Sequence, residues 1–314
     1  MRALLLILCL TSASTHCFGV SVPKNASLPW FTGPLLTPTA RVLQAGHVNL
    51  EPYAFWTITN GHYNSDWQAH ARRKLYHLNT LLTFKIGLGH HVDFSGVIQS
   101  SKKWTQKNAY AGFGDPIFGF DLQLIEGNTD KGIPFLKLSI LEIFPVGKFE
   151  HLHPMNEGTE HLGKGSFATN IGLTCSGQFH FSGDHYLNCR AQASTTLFPP
   201  VHVSGISVYG GDPSTCGRVY PGTTFNFLAA AEYSLTANWA LAVDFQAHFA
   251  ARNRFKGHTK TPVRDRSSAQ MSLAPALEYN WNEMYGLIVG SWFTLAGRNA
   301  PRFVSYVAGF NCNF

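Results

Sequence analysis

From Gly46 onward the chain alternates apolar and polar residues in short, repeated blocks. In Trp239–Phe249, the side chains Trp239, Leu241, Val243, Phe245, Ala247 and Phe249 fall on one side, and Asp244, Gln246 and His248 fall on the other. A period of two is the signature of a β-strand with two unlike faces. Phe167–Phe181 repeats it, with Ile171, Leu173, Cys175, Phe179 and Phe181 opposed to Asn170, Thr174, Gln178 and His180. In Val92–Ser100, Phe94 and Ile98 oppose Asp93, Ser95 and Gln99. The pattern predicts twelve strands, at 46–59, 75–89, 92–103, 113–125, 134–144, 167–181, 185–197, 224–235, 239–251, 268–280, 283–295 and 303–314. The block from Glu283 to Leu295 is apolar on both faces, and its alternation gives no orientation.

The connections are as informative as the strands. His90-His91, Ser182–Asp184, Thr236–Asn238 and Asn280–Asn282 read as tight turns, while 60–74, 104–112, 145–166, 198–223, 252–267 and 296–302 read as longer loops. Short and long connections alternate, with a moderate exception at Glu126–Gly132. A soluble sandwich has no reason to gather its long loops at one end. A transmembrane barrel does, with short turns on the periplasmic side and long loops outside. The expected fold is therefore all-β, a transmembrane up-and-down antiparallel β-barrel of about twelve strands of the bacterial outer-membrane type.

Composition fits that reading. The chain is 13% charged and carries 24 Phe, 11 Tyr, 7 Trp and 29 Gly, yet its mean hydropathy is only -0.05. Apolar residues are abundant but dispersed, as lipid-facing and lumen-facing positions of one strand require. After the first residues no apolar run reaches the ~18 residues of a membrane-spanning helix.

Both ends point the same way. Met1–Leu10 places one Arg before a short apolar core, and small residues follow up to Cys17-Phe-Gly19, the layout of a cleaved signal peptide over 1–19. At the other end Val304, Tyr306, Ala308, Phe310, Cys312 and Phe314 form one apolar face closed by an aromatic residue. Such a strand resembles the signature read by the bacterial barrel-assembly machinery, and Phe314 is its expected contact. The expected location is the bacterial outer membrane. The expected organisation is a leader over 1–19, a periplasmic segment over 20–45 and one barrel over 46–314.

Several short motifs carry a family resemblance. Phe31-Thr-Gly-Pro-Leu-Leu36, Gly46–Phe55, Gly112-Phe-Gly-Asp-Pro-Ile-Phe-Gly-Phe120, Phe144-Pro-Val-Gly-Lys148 and Leu162-Gly-Lys-Gly165 resemble the MetA-pathway of phenol degradation family. In that family a Gly-Asp strand start, a Pro-x-Gly strand end and a Leu-Gly-x-Gly loop follow one another in the same order. The resemblance implies a transporter-like barrel associated with aromatic compounds. The residues themselves are those of barrel corners, where Gly supplies unusual backbone angles and Pro ends pairing.

Candidate lumen-lining residues follow from strand parity: Glu51, Lys85, Asp93, Asp121, Lys137, Arg190, Glu232, Asp244 and Glu278. Their mixed signs argue against strong ion selectivity, and they serve either solute passage or a structural network of mutual pairing. The segment 20–45 is interrupted by Pro23, Pro29, Pro34 and Pro38 and is rich in apolar residues, including Trp30, Phe31, Leu35 and Leu36. It cannot form a regular helix. It is expected to be buried, either inside the barrel as a plug or against the rim as a brace, and tethering a terminus favours the brace.

Arg72, Arg73, Lys74, Lys102 and Lys103 gather positive charge at the outer strand ends, with Lys107 beside them. There lipopolysaccharide phosphates, rather than nucleic acid, are the matching counter-charges. His151, His153 and His161 with Glu150, Glu157 and Glu160 match no defined zinc spacing, so no metal and no cofactor is expected. Cys175 and Cys189 share the outward register across a tight turn and are either bonded or free, while Cys216 and Cys312 are expected apart. No G-x-S-x-G elbow occurs and no catalytic set is assembled, so an enzyme is not expected. The functional expectation is a channel for small, apolar or aromatic solutes of unknown identity, with a closed structural or surface-display barrel as the alternative.

Overall fold

The computed structural model describes residues 31–129, 131–183, 185–263 and 265–314. The expected leader over 1–19, and the first part of the segment that follows it, lie outside the described residues. The strands are β1 (Val48–Tyr63), β2 (Ala69–Gly89), β3 (Val92–Trp104), β4 (Ala109–Phe113), β5 (Ile117–Ile125), β6 (Phe135–Ile143), β7 (Ala168–Ser182) and β8 (His185–Leu197). They continue with β9 (Val201–Ser204), β10 (Cys216–Tyr220), β11 (Thr224–Ser234), β12 (Trp239–Ala250), β13 (Arg254–His258), β14 (Ser268–Asn280), β15 (Tyr285–Arg298) and β16 (Ala300–Asn313).

Neighbouring wall strands are antiparallel, and β1 pairs with both β2 and β16, which closes the sheet on itself. β4 and β5 pair with the two halves of β3 and form a single wall strand interrupted at Gly114-Asp115-Pro116. The closed wall therefore has twelve strands. β9, β10 and β13 form a separate three-stranded sheet, packed around Val201, Val203, Tyr209 and Val219 beyond the barrel end.

The turns gather at one end, hereafter the turn end, and the larger connections at the other, the loop end. At the β2–β3 turn both His90 (φ 50) and His91 (φ 65) adopt the left-handed conformation. Two such residues give the turn twist that matches paired strands. The loop end departs from the sequence reading in its connections: the one expected over 104–112 shrinks to the residues between Trp104 and Ala109, where β4 begins. The connection expected over 60–74 shrinks to the residues between Tyr63 and Ala69, and the one expected over 296–302 reduces to Asn299 between β15 and β16. Strands that rise beyond the apolar band keep their hydrogen bonds but need no apolar face, so alternation stops marking them.

The outer surface confirms what the alternation encodes. Exposed Leu82, Ile98, Phe120, Ile140, Leu173, Leu241, Val289 and Tyr306 stand on outward positions, and a surface of this kind requires lipid rather than water. Aromatic residues border it. Near the turn end Trp239, Tyr279, Trp281, Phe310 and Tyr285 contact one another in sequence. Near the loop end Phe118–Phe144–Phe167, Tyr76–Trp104 and Phe225–Phe249 do the same. Aromatic girdles of this kind border the apolar band at the two membrane–water boundaries of such barrels.

Residues 31–45 run inside the barrel and not along its rim. Leu35 packs in one apolar cluster with Phe55, Ala242, Ala274, Ala276, Ile288 and Val307, against which Leu36 and Trp292 also lie. This explains the two-faced strand β15. Its inward Ile288 and Trp292 cover the inserted segment, while Leu287, Val289 and Leu295 face outward.

Candidate functional site: the barrel interior

The interior is best built from its acids. An ionised carboxylate removed from water needs donors, or its burial costs several kcal/mol. Asp244, in the middle of β12 and without exposed surface, accepts from the Thr37 backbone N (2.9 Å), the Thr37 hydroxyl (2.6 Å) and the Leu36 backbone N (3.3 Å). Glu278 on β14 accepts from the backbone N–H groups of Thr32 (2.9 Å) and Gly33 (3.4 Å). Asp93 on β3 holds the Leu43 backbone N at 2.9 Å. Gln123 on β5 accepts from Val42 N (3.0 Å) and donates to the Ala40 carbonyl (2.9 Å). The inserted segment thus passes from the β14 wall near the turn end, by the middle of β12, to the β3–β5 wall. It supplies backbone N–H groups at every stop.

Prolines explain why the Leu36 and Thr37 N–H groups are available. Pro34 and Pro38 prevent a helix or a regular strand, so the amides between them have no partners of their own and turn to the wall. Gly33 has φ 111, and a β-carbon there would lie 3.1 Å from Arg190 Nη1. Both the backbone angle and the approach to Arg190 require glycine.

The remaining charged candidates pair across the wall. Arg190 Nε lies 2.8 Å from Glu232, whose second contact is Asn188 Nδ2 at 2.6 Å. Lys137 lies 3.3 Å from Asp121, and Asp121 also accepts from Ser95 (2.5 Å) and Ser139. Glu51 accepts from the Tyr53 hydroxyl at 3.2 Å. Lys85 lines the same space without an ion pair among the described residues. All nine sequence-derived candidates therefore stand on the inner face. Three of the acids, Asp93, Asp244 and Glu278, hold the inserted segment, and Glu51, Asp121, Lys137, Arg190 and Glu232 make local contacts within the wall.

A cavity of about 1030 Å³ extends along the inserted segment. Its charged lining residues, Arg41, Glu51, Lys85, Asp121, Lys137 and Arg190, belong to the segment or to the half of the wall nearer the turn end. Towards the loop end the lining becomes Thr57, His77, Asn79, Val97, Ile117, Leu141, Asn170, Trp292 and Phe303. Here the rings of Phe55, Trp292 and Phe303 meet edge to face, and Trp292 Nε1 donates to Ser272 at 2.8 Å. His77 contacts Ser101 at 3.0 Å, and Ser101 donates to Asn79 at 2.7 Å. This half offers an aromatic wall and neutral hydrogen-bonding groups.

At the loop end the three barrel-corner motifs meet. The Asp115 carboxylate accepts from Gly147 N (2.8 Å) and Lys164 N (2.9 Å), so the Gly-Asp, Pro-x-Gly and Leu-Gly-x-Gly stretches form one junction. A β-carbon at Gly163 would stand 2.5 Å from that carboxylate, and one at Gly147 2.6 Å from the Leu162 backbone. The histidines and acids between them build the loop. Glu160 accepts from His153 N at 2.8 Å and pairs with Lys148, Glu157 pairs with Arg73, and Glu150 accepts from Ser204 N at 2.8 Å. Burial would raise the Glu160 pKa, but the His153 amide, with Lys148 and Asn156, brings it down to about 2. No group of three potential metal ligands occurs among the described residues. Cys175 and Cys189 are free thiols, set diagonally because Cys175 faces Ala191 and Cys189 faces Gly177; Cys216 and Cys312 are free as well.

Of the five basic candidates at the outer strand ends, the structure separates two. Arg73 pairs with Glu157, and Lys103 donates to the His161 carbonyl, so both hold the loop over the mouth. Arg72, Lys74 and Lys102 are exposed, as is Arg73, but have no ion pair among the described residues. Phe314 is also exposed, and its backbone pairs with Val48 in both directions.

These features define a class, a twelve-stranded transmembrane barrel with an N-terminal segment hydrogen-bonded inside it. Among solved structures, the chain is similar to the COG4313 outer membrane channel from Pseudomonas putida F1. The TM-score is 0.67 at 12% identity, over 88% of this chain and 98% of that one. It is also similar to the NanC porin, with a TM-score of 0.46 at 8% identity over 84% and 98% of the two chains. At such identities the likeness shows the fold alone. No family model matches the sequence, and no curated protein matches it, so the family resemblance rests on its motifs.

Proposed function

We propose that the protein is a bacterial outer-membrane channel for small, uncharged, apolar or aromatic solutes, closed towards the periplasm by residues 31–45. The carrying observation is the cavity. Its loop-end half is lined by Phe55, Trp292, Phe303, Val97, Ile117 and Leu141 with neutral polar partners, and it ends on a segment that the wall acids hold in place. An apolar chamber with a few placed polar groups suits a small molecule rather than a hydrated ion. Short turns face the periplasm in barrels of this type, so the segment enters from that side and acts as a plug. The resemblance to the family associated with phenol degradation supports aromatic solutes.

The test is solute flux into liposomes, with single-channel conductance, for the full chain and for a variant lacking residues 31–45. Uptake of small neutral aromatic compounds, with conductance rising on deletion, is the expected result. Silence from both proteins, each shown to be folded, would refute the channel and establish a closed barrel, whose extra sheet of β9, β10 and β13 would then serve surface display.

A further inference from the structure

We propose that the outer face of β2 and β3, at the loop end, is a binding site for the phosphorylated glycolipid of the outer leaflet. This goes beyond solute passage and depends only on the barrel lying in that membrane.

Strand parity places Tyr76 and Leu78 of β2 on one outward row, and exposed Lys74 stands just beyond them at a register shift. In β3, Trp104 lies opposite Tyr76 and Lys102 opposite Leu78. The Tyr76 and Trp104 rings stack 5.6 Å apart at 14°. Leu78, Lys102 and Trp104, with the hairpin residues 105–109, line an outer groove of about 450 Å³. Below it, exposed Leu82 and Ile98 continue the apolar surface. The site therefore presents acyl-chain surface, then an aromatic pair, then ammonium groups, in the order of a phosphorylated lipid's own parts. Long Lys side chains reach a boundary of this kind with apolar stems and charged heads.

Charge supports the same occupant. Between Ala69 and Phe113 the only acidic residue is Asp93, inside the barrel. Among the described residues Lys74, Lys102 and Lys107 have no ion pair within the protein. Their neighbours Arg73 and Lys103 differ, because Arg73 pairs with Glu157 and Lys103 donates to the His161 carbonyl. The split between cations committed to the loop and cations without an ion pair among the described residues, beside an outward aromatic pair, points to a ligand outside the wall, and a phosphate outside the wall at this height belongs to a lipid.

The experiment is native mass spectrometry of the full chain in detergent with diphosphoryl lipid A and with its dephosphorylated form. Wild type is compared with K74Q/K102Q/K107Q and with R73Q, after heat-modifiable electrophoretic migration has shown all three folded. The expected result is at least a tenfold loss of diphosphoryl lipid A binding in the triple variant only, with no difference for the dephosphorylated lipid. Equal binding of both lipids by wild type would overturn the proposal, as would an R73Q loss equal to that of the triple variant. Full displacement of bound lipid A by millimolar inorganic phosphate would show a simple anion site and would also overturn it.

Discussion

The bond set around Asp244 is the point at which closure can be tested by a single side chain. Asp244→Ala removes the acceptor for the Thr37 amide at 2.9 Å, the Thr37 hydroxyl at 2.6 Å and the Leu36 amide at 3.3 Å. Hydrogen bonds to a charged group contribute roughly 1.5–3 kcal/mol each. Counting only the two short bonds at the lower figure gives about 3 kcal/mol of lost retention. At about 1.4 kcal/mol per tenfold, the unplugged population then rises roughly 150-fold. Thr37→Val keeps the amide bond and loses only the hydroxyl, so its expected rise is about tenfold on the same scale. The assay is single-channel recording in planar bilayers, reading opening frequency for wild type, both variants and the protein lacking residues 31–45. The reasoning fails if the deletion opens the barrel while Asp244→Ala changes opening frequency less than threefold, because Asp244 would then not be a restraint on the segment.

Two further outcomes follow from other parts of the structure. Lys137→Ala leaves Asp121, 3.3 Å away and buried, without its counter-charge, and should destabilise the barrel by about 3–5 kcal/mol; Lys137→Met with Asp121→Leu should recover most of that in urea unfolding followed by tryptophan fluorescence, and a double variant no better than the single would sink the pairing argument. Glu160 is held down to about 2 from an ordinary 4.5, so its contribution to the loop is complete above pH ~4.5 and is lost as pH falls through about 2. Protease protection of the loop between Phe144 and Phe167 should fall in that window and be weak at every pH in Glu160→Gln; a pH-independent wild type would contradict the assignment.

The wall was largely legible in the sequence because lipid outside and polar groups inside impose a strict period of two. That is why parity alone put Asp244, Glu232 and Lys137 on the inner face. Legibility ended where the constraint ended. Above the apolar band β1 and β2 run on to Tyr63 and back from Ala69 with polar residues on both faces, and nothing in the alternation distinguishes them from a loop. The inner face of β15 was unreadable for the opposite reason. It packs on Leu35 and Leu36, which are distant in sequence, so Ile288 and Trp292 are apolar where an open lumen would make them polar. The doubly apolar pattern was itself the signal that something apolar fills the barrel beside that strand.

The inserted segment and the wall acids explain each other. Between Phe31 and Ala45 the sole charged residue is Arg41, which makes the segment look like inert cover suited to a rim. Its proline-broken backbone, however, carries amides that no helix or strand uses. The wall, for its part, carries Asp93, Asp244 and Glu278 with no cation in bonding distance among the described residues. Each surplus satisfies the other, and neither is legible alone. A permanently seated plug would need only apolar packing, whereas carboxylates facing amides keep a hydrated alternative, since the same acids are well solvated once the segment leaves. The arrangement suits a segment held by a modest free energy and therefore able to move aside, and it predicts that replacing all three acids by apolar residues of similar size, which leaves the segment's amides without acceptors, raises opening frequency beyond that of Asp244→Ala.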